Sequence, residues 1–426
     1  MDISKHYDEL VRCNRCGFCQ AACPVFRATG HEEGVARGRL ALLRALVEGR
    51  LPWSRELEEP LFACLLCEAC TAHCFPAVET ADLVRAARAE YLERVGRKKL
   101  HRLLFRHLLP YPRRLRLAAR AVALGKRTGA SKLAKALGLL RCLGRDLPKA
   151  EAIVERFPPR ALRETIEPGT LEGQGGAGRI AYFVGCGMDI MCPRAAEATL
   201  GLLRRLAASV VVLDNVCCGL PAETYGDRQA ARELAERNLE LLDAQEVDGV
   251  VTDCSSCAAF LKSYPRLFAE GDPQRRKAEQ AAARVRDLLE LAHELPRPRA
   301  GRPLVVTYHD PCHASRGQGL RAEPRERLGA LPGVEYRELP EADWCCGGAG
   351  SYALGHYELS RQVLDRKMEN VAATGAEVLA TSCPACIVQL SYGVRLHGLP
   401  VRVCHLSELL AGQPAAASAT ERTGGC

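Results

Sequence analysis

No apolar run in this sequence approaches the roughly 18–20 residues that a membrane-crossing helix needs. The 47% of hydrophobic positions are instead dispersed along 426 residues. Aromatic residues are also scarce, at 5% of the chain. With few rings to interleave with bases and no recognition motif, nucleic acid is excluded as a partner. The first ten residues, Met1 to Leu10, are polar and read as neither a signal nor a transit peptide. No flavin or nicotinamide site is evident. Gly173 to Gly178 formally match G-x-G-x-x-G, but the match precedes an expected strand instead of following one. A chain with no export signal has little use for a disulfide framework, yet this one contains 22 cysteines. That combination points to metal or redox chemistry in a reducing, cytoplasmic compartment.

Acidic residues are nearly missing from one stretch. Residues 97–149 hold 16 Lys and Arg against the single acid Asp146, while the whole chain is only +8. The remainder is therefore net negative, and the basic charge belongs to one segment. Its apolar residues (Leu100, Leu103, Leu104, Leu108, Leu115, Leu117, Ala121 and Leu124) recur at helical spacing, with breaks at Pro110 and Pro112. The segment reads either as a solvated helical connector or as a docking face for an anionic membrane surface or an acidic partner.

The cysteines are ordered. Cys13, Cys16, Cys19 and Cys23 form a C-x2-C-x2-C-x3-C-P run, and Cys64, Cys67, Cys70 and Cys74 repeat it with Phe75 before the proline. In this spacing three cysteines wrap one corner of a [4Fe–4S] cube and the fourth ligates the other cube. One cluster is thus expected on Cys13, Cys16, Cys19 and Cys74, and the other on Cys64, Cys67, Cys70 and Cys23. Gly17 lets the backbone approach the inorganic sulfides. Gly34 to Glu48 and Thr80 to Gly96 read as helices, so a helical ferredoxin domain is expected over residues 1–96.

Beyond it lies a duplication. Cys186, Cys217-Cys218-Gly219 and Cys254-x-x-Cys257 recur as Cys312, Cys345-Cys346-Gly347 and Cys383-x-x-Cys386, at offsets of 126 to 129 residues by subtraction. Adjacent cysteines cannot pair without a strained peptide, but they can aim two thiolates at one multi-iron centre. Strands are expected at Arg179 to Gly185, Val210 to Asp214 and Gly249 to Thr252, and again at Leu304 to Tyr308, Glu335 to Leu339 and Glu377 to Ala380. Helices are expected at Arg194 to Ala208, Asp227 to Ala244, Glu358 to Ala373 and from Ile387 onward. Alternating strands and helices predict mainly parallel α/β layers with each cysteine set beyond the strand C-termini. The fold class is therefore α+α/β: a helical two-cluster ferredoxin domain, then a duplicated α/β cysteine-rich (CCG) module.

The expected divisions are 1–96; a basic connector and Gly-rich linker over 97–178; modules over 179–298 and 299–411; and a disordered tail over 412–426. Each five-cysteine set is assigned one site, Cys186, Cys217, Cys218, Cys254 and Cys257 in the first module and Cys312, Cys345, Cys346, Cys383 and Cys386 in the second. His309, Asp310 and His313 flank Cys312 and serve either to move protons or to shape the loop. Trp344 and Tyr352 are expected to pack beside that site. Cys192 and Cys404 read as buried apolar thiols.

Two C-x2-C-x2-C-x3-C motifs followed by two CC-Gly modules resemble the family of glycolate oxidase iron–sulfur subunits. That family includes iron–sulfur subunits of lactate dehydrogenase complexes and of anaerobic glycerol-3-phosphate dehydrogenase, and the catalytic subunit of heterodisulfide reductase. Cys345-Cys346-Gly-Gly-Ala-Gly-Ser-Tyr and Ser255-Ser256-Cys257-Ala-Ala-Phe look like the glycolate and lactate branch. The resemblance implies that a separate FAD-binding subunit oxidises a 2-hydroxy acid. This chain would then pass the electrons towards quinone, a membrane cytochrome, an electron-transfer flavoprotein or another carrier, at the inner face of the cell membrane. It also implies further [4Fe–4S]-type clusters, cubane or non-cubane, in the CC-Gly modules. One departure matters: both CxxC pairs are complete here. Complete sets look like heterodisulfide reductase, where non-cubane clusters cleave a disulfide.

Overall fold

The computed structural model describes residues 3–96, 99–144, 146–296 and 302–412. The expected tail from residue 413 onward lies outside these described residues. Among them, no helix is long and apolar enough to cross a membrane.

The described part of the first 96 residues is helical. The two longest helices there, Ala36–Val47 and Thr80–Arg94, fall where the sequence pattern puts them. They bury Leu40, Leu43, Leu83, Ala87 and Tyr91 against Ile3, Leu10 and Leu61. Short helices follow the cysteine loops at Phe18–Ala22, Pro24–Thr29 and Ala69–Ala72. Cys23 sits in extended conformation as the cap residue before Pro24, where a proline's missing N–H costs nothing.

The connector is helical but more broken than its prolines predict. A wide π-type turn at Leu104–Leu108 precedes the helix Pro112–Arg127. Gly129 and Gly138, both left-handed, then start the helices Ala130–Ala136 and Leu139–Leu143. One side is anchored: Phe105 and Leu109 are buried in the main core, Arg106 pairs with Asp227, and Arg116 pairs with Asp189. The other side leaves Leu117, Val122, Leu124, Leu133, Leu137 and Leu139 exposed.

Nine strands of the described residues form two sheets: β1 Gly169–Glu172, β2 Arg179–Tyr182, β3 Ser209–Val212, β4 Gly249–Thr252, β5 Val285–Asp287, β6 Leu304–Tyr308, β7 Val334–Tyr336, β8 Val378–Thr381 and β9 Arg402–His405. Their orders are β1-β3-β2-β4-β5 and β7-β6-β8-β9. All neighbours are parallel except β1, which runs antiparallel to β3. The second sheet repeats the last four strands of the first, as the duplication predicts. Three strands were not foreseen. β1 lies inside the stretch read as a Gly-rich linker, where only its edge pairing reveals it. β5 and β9 each complete the edge of a sheet. The Gly173 to Gly178 stretch packs on a helix end, with Gly173 and Gly175 donating to the carbonyls of Ala208 and Ala207. That placement rules out a phosphate cradle there.

Arg88 fastens the helical domain to the first sheet. Its buried guanidinium donates to the carbonyls of Leu61 (3.0 and 2.8 Å), Cys64 (2.6 Å) and Thr224 (2.6 Å). Burial lowers its pKa to about 10, so it stays charged at neutral pH. Arg88→Met leaves three buried carbonyls without a donor and is expected to cost about 3–5 kcal/mol. Urea unfolding reads the loss, with limited proteolysis showing early release of residues 3–96.

Candidate metal centres

The two ferredoxin-type loops have the same backbone shape. Arg15 and Gly17 in the first, and Leu66 and Glu68 in the second, have positive φ of 54°, 90°, 52° and 61°. Left-handed residues on either side of a cysteine turn successive amide N–H groups to one side and make an anion-binding nest. Three of the four carry side chains, a strain that local function must justify. The amides of Leu66 and Val78 sit 3.4 Å from the sulfurs of Cys64 and Cys74.

Two hollows result. One is lined by Cys13, Cys16, Cys19 and Cys74, the other by Cys23, Cys64 and Cys67, and Cys70 borders both. The fourth cysteine of each motif thus faces the other motif's hollow. Burial pushes the Cys23 thiol up to about 11, and burial with neighbouring thiols pushes Cys70 further. Close thiols in a dry site cannot all ionise unless a cation takes up the charge. Arg39 lines the second hollow and is buried, and its Nη2 has no hydrogen-bond partner. Crowded thiols, inward amides and an orphaned cationic nitrogen fit an anionic iron–sulfur cluster.

In the first module, Cys186, Cys217-Cys218 and Cys254 follow β2, β3 and β4 at their C-terminal ends. The second repeats this with Cys312 after β6, Cys345-Cys346 beyond β7 and Cys383 after β8. Gly219 and Gly347, each following a cysteine pair, have φ of 100° and 81°. A Cβ there would meet the Ala231 and Ser360 carbonyl oxygens at 3.1 and 2.6 Å. Glycine is therefore required by both conformation and space. Cys254 and Cys383 cap the helices Ser255–Lys262 and Pro384–Leu396. Cys257 and Cys386 thus lie in first turns, where the helix dipole favours thiolate.

Each set of five comes together, and the sets join each other and the second hollow. Cys67 contacts Cys345, which neighbours Cys346; Cys346 and Cys386 are 3.5 Å apart. Cys386 contacts Cys383, and Cys383 contacts Cys254 across the two modules. Cys254, Cys257, Cys218 and Cys217 follow in contact, and Cys217 lies 3.6 Å from Cys186. Cys312 stands beside Cys345, Cys346 and Cys67. The modules meet at matching residues, with Ser255 N donating to the Ser382 carbonyl (3.0 Å) and the two hydroxyls 2.9 Å apart. Hydrogen bonds from Cys217 and Cys257 hold the Cys218 thiol down at about 5, whereas its bond to Cys346 pushes Cys345 up to about 12.

The flanking residues divide. Asp310 is taken by a bidentate pair with Arg325 (3.0 and 2.9 Å) and so shapes the loop. His313 Nδ1 bonds Ser256 Oγ at 3.0 Å and lies 3.9 Å from Cys312. His309 is buried, with one ring nitrogen grouped with Cys346 and Cys386. Trp344 and Tyr352 pack with Cys345, and Tyr352 OH donates to the Ala63 carbonyl (2.8 Å). Cys192 and Cys404 are buried in the main core.

Sequence reasoning missed the buried cations. Arg316 donates to the carbonyls of Cys67 (3.2 Å) and Asp343 (2.8 Å), and its Nε is unpartnered between the second hollow and the second module. Lys367 is buried behind Cys346, and burial lowers its pKa to about 8. It stands 129 residues after Asn238, which braces the Cys217 carbonyl at 3.1 Å. Lys367 lay within a stretch that read simply as a helix, and Arg316 in one given no element. The only signal was that Lys367 interrupts the apolar stripe that its helix buries.

Comparison with known families matches a "4Fe-4S dicluster domain" over residues 9–77. A "Glycolate oxidase iron-sulfur subunit, linker region" matches residues 96–154, and a "Cysteine-rich domain" matches both 180–262 and 306–391. The "Probable glycolate oxidase iron-sulfur subunit" of Bacillus subtilis (strain 168) is 33% identical, over 94% of this chain and 93% of its own. "Lactate utilization protein A" of Exiguobacterium sp. (strain ATCC BAA-1283 / AT1b) is 31% identical over 54% of this chain and 96% of its own. A solved structure, "Crystal structure of a hypothetical protein from Helicobacter pylori", shares the fold at a TM-score of 0.52 and 8% identity, over 98% of this chain and 73% of that one.

The nest geometry gives paired expectations of opposite sign. Gly17→Ala puts a Cβ on a φ of 90° residue and 3.0 Å from Arg37 Nη1, and should cost about 1–2 kcal/mol. Arg15→Gly relieves the same strain and should gain up to about 1 kcal/mol. Urea midpoints measured anaerobically on the three proteins check both signs.

Proposed function

Since the chain belongs to the family of glycolate oxidase iron–sulfur subunits, we propose that it is the electron-transfer subunit of a flavin-dependent 2-hydroxy acid dehydrogenase. A separate FAD-binding subunit oxidises glycolate or lactate, and this chain carries the electrons towards quinone or another carrier. Cys13, Cys16, Cys19 and Cys74 hold one [4Fe–4S] cluster, and Cys64, Cys67, Cys70 and Cys23 hold the second. Cys186, Cys217, Cys218, Cys254 and Cys257 hold a third centre, and Cys312, Cys345, Cys346, Cys383 and Cys386 a fourth. When bound, these centres supply one-electron couples; the chain supplies their spacing, dryness and charge compensation.

The observation that carries this reading is the unbroken run of thiol contacts from Cys67 to Cys186. It leads from the helical domain through the second module into the first, and so links every cysteine set except that of the outer hollow, which Cys70 joins on. Arg39, Arg316 and Lys367 offset negative charge along it at no cost in reorganisation. The outer hollow opens beside exposed Phe18 and Phe75, with Cys16 at the surface. Exchange with a redox partner takes place at that end.

The completeness of both five-thiol sets favours a second reading, reduction of a disulfide at a non-cubane centre. The two readings separate in one assay series. With the flavoprotein partner present, Cys345→Ser should abolish 2-hydroxy acid-dependent dye reduction while the two ferredoxin-type EPR signals persist. Unchanged iron content in that variant would refute the cluster assignment. Disulfide turnover by the reduced wild-type protein, without a flavoprotein, would favour the second reading.

The connector's outer side combines exposed Leu117, Val122, Leu124, Leu133, Leu137 and Leu139 with Arg113, Arg114, Arg120, Arg127, Lys132 and Lys135. Leucines among cations suit the headgroup level of an anionic bilayer. Co-sedimentation with phosphatidylglycerol vesicles, but not with phosphatidylcholine vesicles, is expected. Replacing Leu117, Leu124 and Leu133 by Ser should weaken it at least about tenfold.

A further inference from the structure

The two modules are equivalent in backbone but not in the atoms that they aim at their cysteine sets. His309 follows β6, three residues before Cys312; Phe183 follows β2, three residues before Cys186. Each donates its backbone N–H at 2.9 Å to the neighbouring strand, His309 to Ala380 and Phe183 to Val251. The positions are therefore the same place in the two halves. One carries an apolar ring and the other an imidazole.

The imidazole is 1% exposed, and Nδ1 has no hydrogen-bond partner. A ring nitrogen lies within 4.8 Å of the sulfurs of both Cys346 and Cys386, which are themselves 3.5 Å apart. The ring also lies beside the backbone carbonyl of Ala342. Nδ1 is the ring nitrogen without a partner and is free to offer its lone pair. A buried, unpartnered ring nitrogen beside two thiols is placed to be a metal donor.

We propose that His309 Nδ1 is a protein ligand of the iron–sulfur centre in the second module, giving that centre five sulfurs and one nitrogen where the first has five sulfurs alone. This rests on the reading that the second module holds a cluster. A neutral nitrogen adds a donor to the centre without adding negative charge. Lys367 and Arg316 beside the second set favour its reduced, more negative state, so the second centre is the more readily reduced of the pair. It is also the one that adjoins Cys67.

The test compares wild-type protein, purified anaerobically with either natural or 15N-labelled histidine, by hyperfine EPR on the reduced second-module signal, alongside iron analysis. The expected result is about 16 iron per chain and a directly bonded nitrogen coupling that changes with the label. His309→Phe, which installs the first module's own residue, should remove that coupling while leaving the iron content unchanged. His313→Gln should leave the coupling in place, which separates the two histidines. About 16 iron with no histidine nitrogen on the centre overturns the ligand assignment alone. About eight iron, with only the two ferredoxin-type signals, overturns the cluster reading and this inference together.

Discussion

Burying many sulfurs in contact creates the electrostatic problem that the rest of this fold answers. Thiols that crowd one another in a dry interior raise each other's pKa, as Cys67, Cys70 and Cys257 illustrate. A metal centre resolves the conflict by supplying positive charge that the thiols share. The fold helps from outside, through inward amides at the left-handed positions around Cys16 and Cys67, through buried Arg39 and Lys367 and through Arg316, whose side chain is 5% exposed. Arg316 spends two nitrogens on carbonyls and leaves the third unpartnered among Cys67, Cys312 and Cys345.

The duplication places these sites end to end. Each parallel sheet presents its cysteines beyond the strand C-termini, where open α/β sheets place ligands. The modules then face each other through Ser255 and Ser382, so that Cys254 and Cys383 touch. The helical domain docks on the second module through Tyr352, Trp344 and Arg316 and on the first through Arg88. Single-electron chemistry needs short steps between rigid sites more than it needs an open substrate cleft. The symmetry is imperfect where chemistry would differ: His309 for Phe183 and Lys367 for Asn238.

Much of the site was legible because cluster ligation is written in local spacing. The C-x2-C-x2-C runs, the CC-Gly pairs and the CxxC pairs each lie within one loop and helix start, and the structure gathers each set. The main strands were legible from short apolar runs ending in those cysteines. What could not be read was tertiary. β1 hides in a Gly-rich stretch whose edge pairing with β3 carries no periodic signal. β5 is only three residues long. The contact between Cys254 and Cys383 depends on how two modules dock, which no spacing encodes. Arg88, Arg316 and Lys367 drew no notice, because a buried cation and an exposed one share the same letter. Asp310, for which the sequence left proton movement and loop shaping both open, is held in its pair with Arg325.

The most direct test of this arrangement is the magnetic interaction between the centre proposed on Cys23, Cys64, Cys67 and Cys70 and the centre proposed in the second module. EPR spectra of the stepwise-reduced protein should show the first signal broaden or split as the second becomes paramagnetic, because Cys67 and Cys345 are in contact. The same change should be absent in Cys345→Ser. Two signals that grow in independently, with unchanged line shapes when both centres are paramagnetic, would contradict the account of sulfur sites laid end to end.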